Sequence, residues 1–296
     1  MTILLRGARV LKDLSNRDIR VLYMVETLLK NGEYAPVERI AVYADYPQSE
    51  VEMRLSKLNK LKLVQRWTGA FIGYTLTFAG YDALALNALY NKKIVYAVGR
   101  EKAVGKESDI YYALDWNEHE IIIKINRTGR TSFHQVKRKR DFLVDHHHYS
   151  IFFMAEVSAS REYETLKKLQ NTKLPIPKVL GYNRHIIAMD HIEGVELVNA
   201  RNVKKPIKVL EEIIEFTRVL YQKYGIVHGD LTEFNVLYDV QTGKITVIDF
   251  PQAVTVDHPE AQNLLKRDIA HLLEFFEKKY RLKTNLEDTL NYILKK

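Results

Sequence analysis

The sequence of 296 residues contains no cysteine, only 7 prolines and only 2 tryptophans. Without cysteine the chain forms no disulfide, builds no thiolate zinc site and carries no cysteine nucleophile. It also lacks an apolar run of about 18 residues, which a membrane-spanning helix would need. The opening stretch MTILLRGARV reaches an arginine too soon for a signal peptide. We therefore expect a cytoplasmic protein with no membrane partner.

Acidic residues are the scarcer charged type, and the charge is unevenly distributed. The sequence has 45 lysines and arginines against 37 aspartates and glutamates, a formal net charge of +8. Residues 1–93 hold 14 basic and 9 acidic residues, and residues 127–140 hold six basic residues and no acidic one. This excess is typical of a polyanion-binding protein or of a solvated basic surface. The length predicts two domains, each able to bury its own core.

Residues 1–93 have the pattern of a small helical domain with a hairpin around Thr68-Gly69. The predicted helices fall in the ranges 17–30, 36–43, 49–61 and 77–90. This order of elements resembles a winged helix-turn-helix domain, whose third helix enters a groove of nucleic acid. Four basic residues on or just after that helix are candidates for phosphate contacts: Arg54, Lys57, Lys60 and Lys62. Winged helices also dock proteins, and this alternative stays open.

From residue 94 the pattern changes to three strands joined by turns. The first turn contains Gly105, with Lys106 and Ser108 as candidate phosphate-binding residues. Such a turn is also typical of an ordinary hairpin, and Lys106 of a solvated lysine. Lys124 lies in the apolar stretch EIIIKI, where a buried ammonium needs a partner or a ligand. The alternative is a lysine that points outward from an alternating strand.

The most specific pattern lies in residues 226–252, IVHGDLTEFNVLYDVQTGKITVIDFPQ. An apolar run leads into Asp230, Asn235 follows five residues later, and a second apolar run leads into Asp249. The turn at 241–243 predicts a hairpin that sets Asn235 and Asp249 side by side. Protein kinases use an Asp-x4-Asn element and a strand-borne aspartate to place a catalytic carboxylate and two Mg²⁺ ligands.

Two further segments complete this interpretation. An amphipathic helix predicted after the basic segment carries Glu162, a candidate partner of Lys124 or else a surface glutamate. The stretch HIIAMDHIEG predicts a strand that runs into a turn. A kinase hinge at this place would offer adenine its backbone groups, and Met189, Asp190 and Ile192 would line the site.

HGDLTEFN and DFPQ, together with GKESDIY and the basic segment, resemble the RIO family of atypical serine/threonine protein kinases. The predicted winged helix resembles the second Rio kinase type within that family, and the resemblance covers nearly the whole chain. It implies an α+β fold, with an N-terminal winged helix-turn-helix domain followed by a compact bilobal protein-kinase-like domain. We expect these domains at 1–93 and 94–296, with an N-lobe to residue 189, a hinge at 190–194 and a C-lobe from residue 195.

The resemblance also implies a role for each motif residue. Asp230 would be the catalytic-loop aspartate, Asn235 and Asp249 the Mg²⁺ ligands, and Asp249 in addition the acceptor of an aspartyl-phosphate. Lys124, paired with Glu162, would hold phosphates of ATP. ATP and Mg²⁺ are therefore the expected cofactors, and Mn²⁺ shares the same ligand preference. A precursor of the small ribosomal subunit and its rRNA are the expected partners, with autophosphorylation as an expected activity.

Only 47 residues follow Asp249, and Gly229 replaces the arginine of the protein-kinase H-R-D element. Both features favour an ATP-driven switch over a kinase that phosphorylates many proteins. Aminoglycoside and choline kinases share an H-G-D…N element, but the winged helix and Pro251-Gln252 argue against them. A non-catalytic rRNA-binding scaffold is the other alternative. It would need a missing catalytic part, whereas all of the predicted ATP and metal residues are present.

Overall fold

The computed structural model describes the backbone of residues 3–127 and 147–295 and the side chains of residues 7–127 and 152–295. Apart from Arg127, the predicted basic segment 127–140 lies outside the described residues.

The chain forms two compact units. The first comprises Met1–Ala159 and Gly181–Ala188, and the second comprises Ser160–Leu180 and Met189–Lys296. This division is based on contacts between residues and does not test the expected boundaries of the domains and lobes. Those boundaries stay predictions.

The first unit begins with the elements of the predicted winged helix. The helices are α1 (Ile3–Leu11), α2 (Asn16–Leu29), α3 (Val37–Ala44), α4 (Gln48–Lys60) and α5 (Phe78–Asn91). The strands β1 (Ala35–Pro36), β2 (Val64–Thr68) and β3 (Ile72–Leu76) form an antiparallel sheet in the order β1-β3-β2. The four predicted helices and the wing are confirmed, whereas α1 and β1 were not predicted.

Local sequence explains where these helices begin and how closely they pack. The Ser15 hydroxyl accepts from the Asp18 N–H at 3.2 Å, and the Asp18 carboxylate accepts from the Ser15 N–H at 2.9 Å. This capping box starts α2, and the Thr77 hydroxyl caps α5. Gly7 lets α1 approach α5, because a Cβ at Gly7 would stand 3.0 Å from the Cβ of Asp82.

A five-stranded sheet, most of whose residues belong to the first unit, has the order β4-β5-β6-β8-β7. Its strands are β4 (Ala97–Val104), β5 (Ser108–Leu114), β6 (Glu120–Asn126), β7 (Val179–Asn183) and β8 (Ile186–Asp190), and α6 (His147–Leu169) precedes β7. The edge strand β4 is exposed from Gly99 onward. In β6, by contrast, Ile121, Ile123 and Ile125 are buried. The sheet therefore encloses β6 and leaves β4 in water.

The second unit carries the predicted catalytic hairpin. Its elements are β9 (Val195–Glu196), α7 (Pro206–Tyr224), β10 (Ile226–Val227), β11 (Val236–Tyr238), β12 (Ile245–Val247), β13 (Val254–Thr255), α8 (Ala261–Tyr280) and α9 (Leu286–Leu294). One sheet has the order β12-β11-β9, and β10 pairs with β13. Phe216, Tyr238, Phe250 and Phe276 are the large side chains of its core. Among the described helices, none has the length and apolar character needed to cross a membrane.

Candidate active site

The hairpin of β11 and β12 brings Asn235 and Asp249 to the same end of two paired strands. Val236 pairs with Val247, and the Ile248 N–H donates to the Asn235 carbonyl at 2.9 Å. Asn235 directly precedes β11, and Asp249 follows Ile248 at the end of β12. The side-by-side placement predicted from the two apolar runs is therefore confirmed.

Asn235 also anchors the loop that carries Asp230. Its Nδ2 donates to the Asp230 carbonyl at 2.7 Å and lies 3.4 Å from the Asp230 carboxylate. Because Nδ2 is used as a donor, Oδ1 is the atom of this amide with which the predicted metal ligand would bind. An amide oxygen beside an aspartate carboxylate forms an oxygen donor set that fits Mg²⁺. The described residues contain no group of three or more His, Cys, Asp or Glu side chains that could hold a metal. An ion at this pair would therefore complete its shell with water and phosphate oxygens, as Mg²⁺ usually does.

Asp230 and Asp249 have unusual local environments. Asp230 is exposed. The atoms packed around its carboxylate and the nearby charge of Asp249 nevertheless raise its pKa, against the opposing effects of Arg267 and Asn235. Asp249 has a left-handed backbone with φ of 71°, which is rare for a residue other than glycine. Such strain occurs preferentially at functional sites.

The backbone at position 229, in the predicted catalytic loop, requires a glycine. Its φ is 78°, and a Cβ there would stand 2.5 Å from the Gln252 carbonyl oxygen. An arginine at this position, as in the H-R-D element of protein kinases, would collide with the segment that follows Asp249. The close approach of the Gln252 carbonyl therefore explains the glycine at position 229. In the sequence, both residues were only letters of the motif.

His228 joins the two halves of the motif. Its ring lies 4.5 Å from the Phe250 ring. Its Nε2 is 3.1 Å from the Ile248 carbonyl, and its Nδ1 accepts from the Asp230 N–H at 3.3 Å. These partners assign a neutral ring with the proton on Nε2. His228 therefore links the backbone of Asp230 to that of Ile248.

The sequence did not point to Asp268 and Arg267 on α8. The Asp268 carboxylate accepts from the Gly229 N–H at 2.8 Å, and the Arg267 guanidinium donates to the Gly229 carbonyl. Burial raises the pKa of Asp268 to about 6, although the N–H groups of Leu231 and Gly229 oppose the shift. A usable signal was present, because Asp268 is a carboxylate on the apolar face of an amphipathic helix.

The predicted hinge and Glu162 also lie in the second unit. Met189 is buried near the end of β8, and the Asp190 N–H donates to the Lys178 carbonyl at 2.9 Å. Ile192 is partly exposed in the following segment. Glu162 on α6 is 1% exposed, so the alternative of a surface glutamate is wrong.

The predicted phosphate-binding residues of the strands lie in the first unit. Lys124 is 6% exposed and pairs with Ile110 across β5 and β6, so the alternative of an outward-pointing lysine is wrong. Its ion pair with Glu162 stays a prediction. The turn between β4 and β5 is closed by the Gly105 N–H, which donates to the Ser108 carbonyl at 2.8 Å. Lys106 is exposed on this turn.

The four basic residues of the predicted recognition helix divide into two kinds. Arg54 bonds to Asp18 at 2.8 Å and to Glu50 at 2.7 Å, and Lys57 bonds to Asp18 at 2.8 Å. Lys60 and Lys62 are exposed. The phosphate contacts stay predictions for all four. The geometry favours Lys60 and Lys62, because Arg54 already neutralises two carboxylates within the winged helix.

Fold and site together define a protein-kinase-like phosphoryl-transfer protein that carries an N-terminal winged helix. The RIO domain family matches residues 109–289, and the family "Rio2, N-terminal" matches residues 11–92. The chain therefore belongs to the RIO family of serine/threonine-protein kinases, in its Rio2 branch, and the resemblance stated from the motifs is confirmed.

Individual relatives agree with this assignment. The RIO-type serine/threonine-protein kinase Rio2 of Methanocaldococcus jannaschii is 38% identical over 277 residues, which cover 90% of this chain and 100% of the relative. The serine/threonine-protein kinase rio2 of Dictyostelium discoideum is 35% identical over 92% of this chain, which spans 52% of that longer protein. A crystal structure of the Chaetomium thermophilum Rio2 kinase in an ADP/Mg²⁺–phosphoaspartate complex matches with a TM-score of 0.84. It is 31% identical and covers 98% of this chain and 89% of that one. The predicted fold class is confirmed.

Proposed function

We propose that the chain is an ATP-dependent atypical serine/threonine kinase and ATPase that acts in the cytoplasm on a precursor of the small ribosomal subunit. The observation that carries the catalytic part is the group formed by Asp230, Asn235 and Asp249, held by the β11–β12 hairpin and by Asp268. The membership of the chain in the Rio2 branch supports the same reaction. The phosphoaspartate named for the C. thermophilum kinase supports an aspartate as phosphate acceptor.

The described side chains suggest how the reaction would be divided among them. Asn235 and Asp249 would hold Mg²⁺, which when bound neutralises charge on the phosphate oxygens; Mn²⁺ has the same ligand preference. The buried ammonium of Lys124 would bind the α- and β-phosphates of ATP, as the corresponding lysine does in protein kinases. Met189, Asp190 and Ile192 would contact adenine, and the Gly105 turn would cover the phosphates.

Asp249 would also accept the phosphoryl group. Its carboxylate oxygen forms a bond to the γ-phosphorus while the bond from that phosphorus to the β–γ bridging oxygen breaks, and ADP leaves. Hydrolysis then needs a base for the attacking water. Asp230 suits this task, because its raised pKa lets the carboxylate accept a proton more readily than an ordinary aspartate.

The catalytic proposal is tested by incubating the protein with γ-labelled ATP and Mg²⁺ and following protein-bound label and released phosphate in a single turnover. We expect slow turnover and a hydroxylamine-sensitive label in the wild type. Asp249→Asn should lose the label, since asparagine tolerates the left-handed backbone but cannot form an acyl phosphate. Asp257→Asn, an exposed residue of the same unit, is the matched control. Unchanged labelling in Asp249→Asn would contradict the role of Asp249.

The ribosomal part rests on the basic winged helix, on the exposed Lys60 and Lys62, and on the family. We expect the protein to sediment with small-subunit precursor particles and to dissociate when ATP is hydrolysed, whereas Asp230→Asn should stay bound. Lys60→Gln with Lys62→Gln should weaken rRNA binding and flatten its salt dependence, by about 0.7–0.9 in the logarithmic slope per lost phosphate contact. Stimulation of turnover by a small hydroxylated metabolite, and not by particles, would favour a small-molecule kinase.

A further inference from the structure

The first unit exposes three aromatic rings that contact one another. Tyr90 at the end of α5 lies 5.1 Å from Trp116, and Tyr96 before β4 lies 5.2 Å from it. Trp116 sits in the turn between β5 and β6, and the Tyr96 N–H holds this turn near β4 by donating to the Leu114 carbonyl at 2.8 Å. The three side chains are 45%, 48% and 40% exposed, in the order Tyr90, Tyr96 and Trp116. The three rings thus form one contiguous, partly exposed aromatic surface.

A cleft of about 830 Å³ adjoins this aromatic group. It lies between α1, α5 and the start of β4, and Tyr90 and Tyr96 belong both to its wall and to the aromatic group. Its described lining contains the cations Arg9, Lys12 and Arg100 and no carboxylate. Apolar side chains such as Leu86 and Val95 complete the wall. The surface thus combines aromatic faces, an apolar cleft and positive charge.

We propose that this surface, named here the Trp116 platform, binds a segment of single-stranded RNA; the proposal deepens the proposed function by giving the ribosomal partner a contact point. Unstacked bases stack on aromatic side chains in a largely sequence-tolerant way, while Arg and Lys neutralise the phosphates. A duplex keeps its bases stacked on one another and offers no face to Trp116. The platform therefore selects RNA that is locally unpaired.

The distribution of charge indicates on which side of the platform the phosphates lie. The turn that carries Trp116 also carries Asp115, Glu118 and Glu120, so phosphates are disfavoured on that side. The Asp115 carboxylate already accepts the N–H groups of Asn117 and His119 at 2.8 and 2.9 Å. The phosphates therefore lie on the cleft side, towards Arg9, Lys12 and Arg100, with the bases against the rings.

The other tryptophan of the chain provides an internal comparison. Trp67 in the wing is stacked on Tyr34, with ring centroids 4.9 Å apart and an angle of 17° between the planes. Its face is covered within the protein itself. Trp116 meets Tyr90 and Tyr96 at 48° and 64°, and the Lys93 ammonium lies 6.0 Å from its ring centroid. Trp116 is nevertheless 40% exposed, whereas Trp67 is only partly exposed. Of the two tryptophans, Trp116 therefore offers more ring surface to a base, with the Lys93 cation beside it.

Tryptophan fluorescence tests the proposal, because the sequence has only these 2 tryptophans. A twelve-nucleotide oligouridylate is titrated into Trp67→Phe, where Trp116 alone reports, and into Trp116→Phe, where Trp67 alone reports. We expect quenching in the first variant and little change in the second. Anisotropy of the labelled oligonucleotide should show binding weakened about fivefold to a hundredfold in Trp116→Ala. The triple variant Arg9→Gln, Lys12→Gln and Arg100→Gln should reduce the salt dependence.

Several outcomes would overturn the proposal. These are equal affinity of Trp116→Ala and wild type, equal or tighter binding of a duplex of the same length, or quenching by uridine monophosphate at the same concentration as by the oligomer. The last result would indicate a mononucleotide pocket. Quenching by an acidic peptide in place of RNA would indicate a protein-docking surface. Trp116→Leu, which keeps an apolar side chain, and thermal unfolding of each variant show whether a loss reflects misfolding.

The test also separates this proposal from the catalytic one. Trp116→Ala should release phosphate from ATP at the wild-type rate, since the platform contains none of the residues placed at the phosphates. Asp230→Asn should bind the oligonucleotide as the wild type does. If the wild type turned over ATP normally but did not bind the oligonucleotide, only the platform proposal would be contradicted. If the wild type bound the oligonucleotide but did not turn over ATP, only the catalytic proposal would be contradicted.

Discussion

Two groups of charged side chains, one in each unit, differ in whether opposite charges compensate one another. In the first unit, Arg127 bonds to Asp82 at 2.9 Å and to Asp109 at 3.1 Å, and His185 bonds to Asp82 at 2.8 Å. Although burial alone would raise it, the pKa of Asp82 is lowered by Arg127 and His185. Burial lowers the pKa of His185 despite this bond. Opposite charges therefore compensate one another in this group, which we call the Arg127 cluster.

In the second unit the carboxylates of Asp230, Asp249 and Asp268 lie close enough to perturb one another. Burial is the main cause that raises the pKa of Asp230 and of Asp268, and each is raised further by a neighbouring aspartate. Arg267 offsets only part of this effect. Repulsion among the aspartates near Asp230 is therefore only partly compensated in the folded protein, whereas the charges of the Arg127 cluster compensate one another.

The difference teaches how to distinguish a structural charge cluster from a functional one. A compensated cluster is costly to break, because removing one member leaves a buried charge without its partner. A cluster of like charges stores repulsion, which a bound cation would relieve. The lowered pKa of Asp82 therefore indicates a cluster that contributes to stability. The raised pKa values of Asp230 and Asp268 indicate a cluster that contributes to activity.

The largest effect is expected from Asp230→Asn. This variant keeps the shape of the side chain but removes the proton acceptor, so single-turnover phosphate release should fall about 10² to 10⁴-fold. Because one repelling charge disappears, the midpoint of thermal unfolding should stay equal or rise. A variant that lost activity and also unfolded at lower temperature would contradict the repulsion described for this site.

The next effect is on stability and comes from the other cluster. Arg127→Met should lower the free energy of unfolding by about 3–5 kcal/mol, because Asp82 and Asp109 would remain buried without their cation. Arg184→Met is the matched control, since Arg184 pairs with Glu26 at a partly exposed position and should cost less. Chemical denaturation measures both variants. Equal losses would show that burial of the Arg127 cluster has no special consequence.

The two regions also differ in how much of them could be predicted. The hairpin with Asn235 and Asp249 follows from short-range patterns, because two apolar runs and a turn lie within one stretch of sequence. For Lys124 the local pattern left a buried and an outward-pointing lysine equally open, and only the motifs further along the chain favoured the buried one. Arg127 contacts residues 18, 45 and 58 positions away in sequence, and no periodicity connects them. Helix α1 was not predicted, because Gly7 weakens its helical pattern. The reason for a glycine there is the close contact of α1 with α5, which only the structure shows.

Gly229→Ala tests the steric part of the site. Left-handed φ alone costs an alanine about 1–2 kcal/mol, and the collision with the Gln252 carbonyl adds to this. We expect a loss of more than about 2 kcal/mol together with reduced turnover. Gly243→Ala is the control, because its φ is 77° but its Cβ would have 3.7 Å to the nearest atom. If both variants lost the same stability at unchanged turnover, the Gln252 contact would not explain Gly229.

The smallest effect is the pH dependence caused by Asp268. Its pKa is about 6 in the folded protein against an ordinary value of 3.8. The folded state therefore binds more protons between about pH 4 and pH 6, and its stability falls as pH rises through this window. A shift of this size corresponds to at most about 3 kcal/mol, and we expect on the order of 1 to 2 kcal/mol. Urea unfolding at pH 4, 5, 6 and 7 measures the slope. Asp268→Asn should flatten it, because the amide keeps an acceptor for the Gly229 N–H but does not titrate. An identical slope in the variant would assign the pH dependence to another group and leave Asp268 as an ordinary ionised anchor of the catalytic loop.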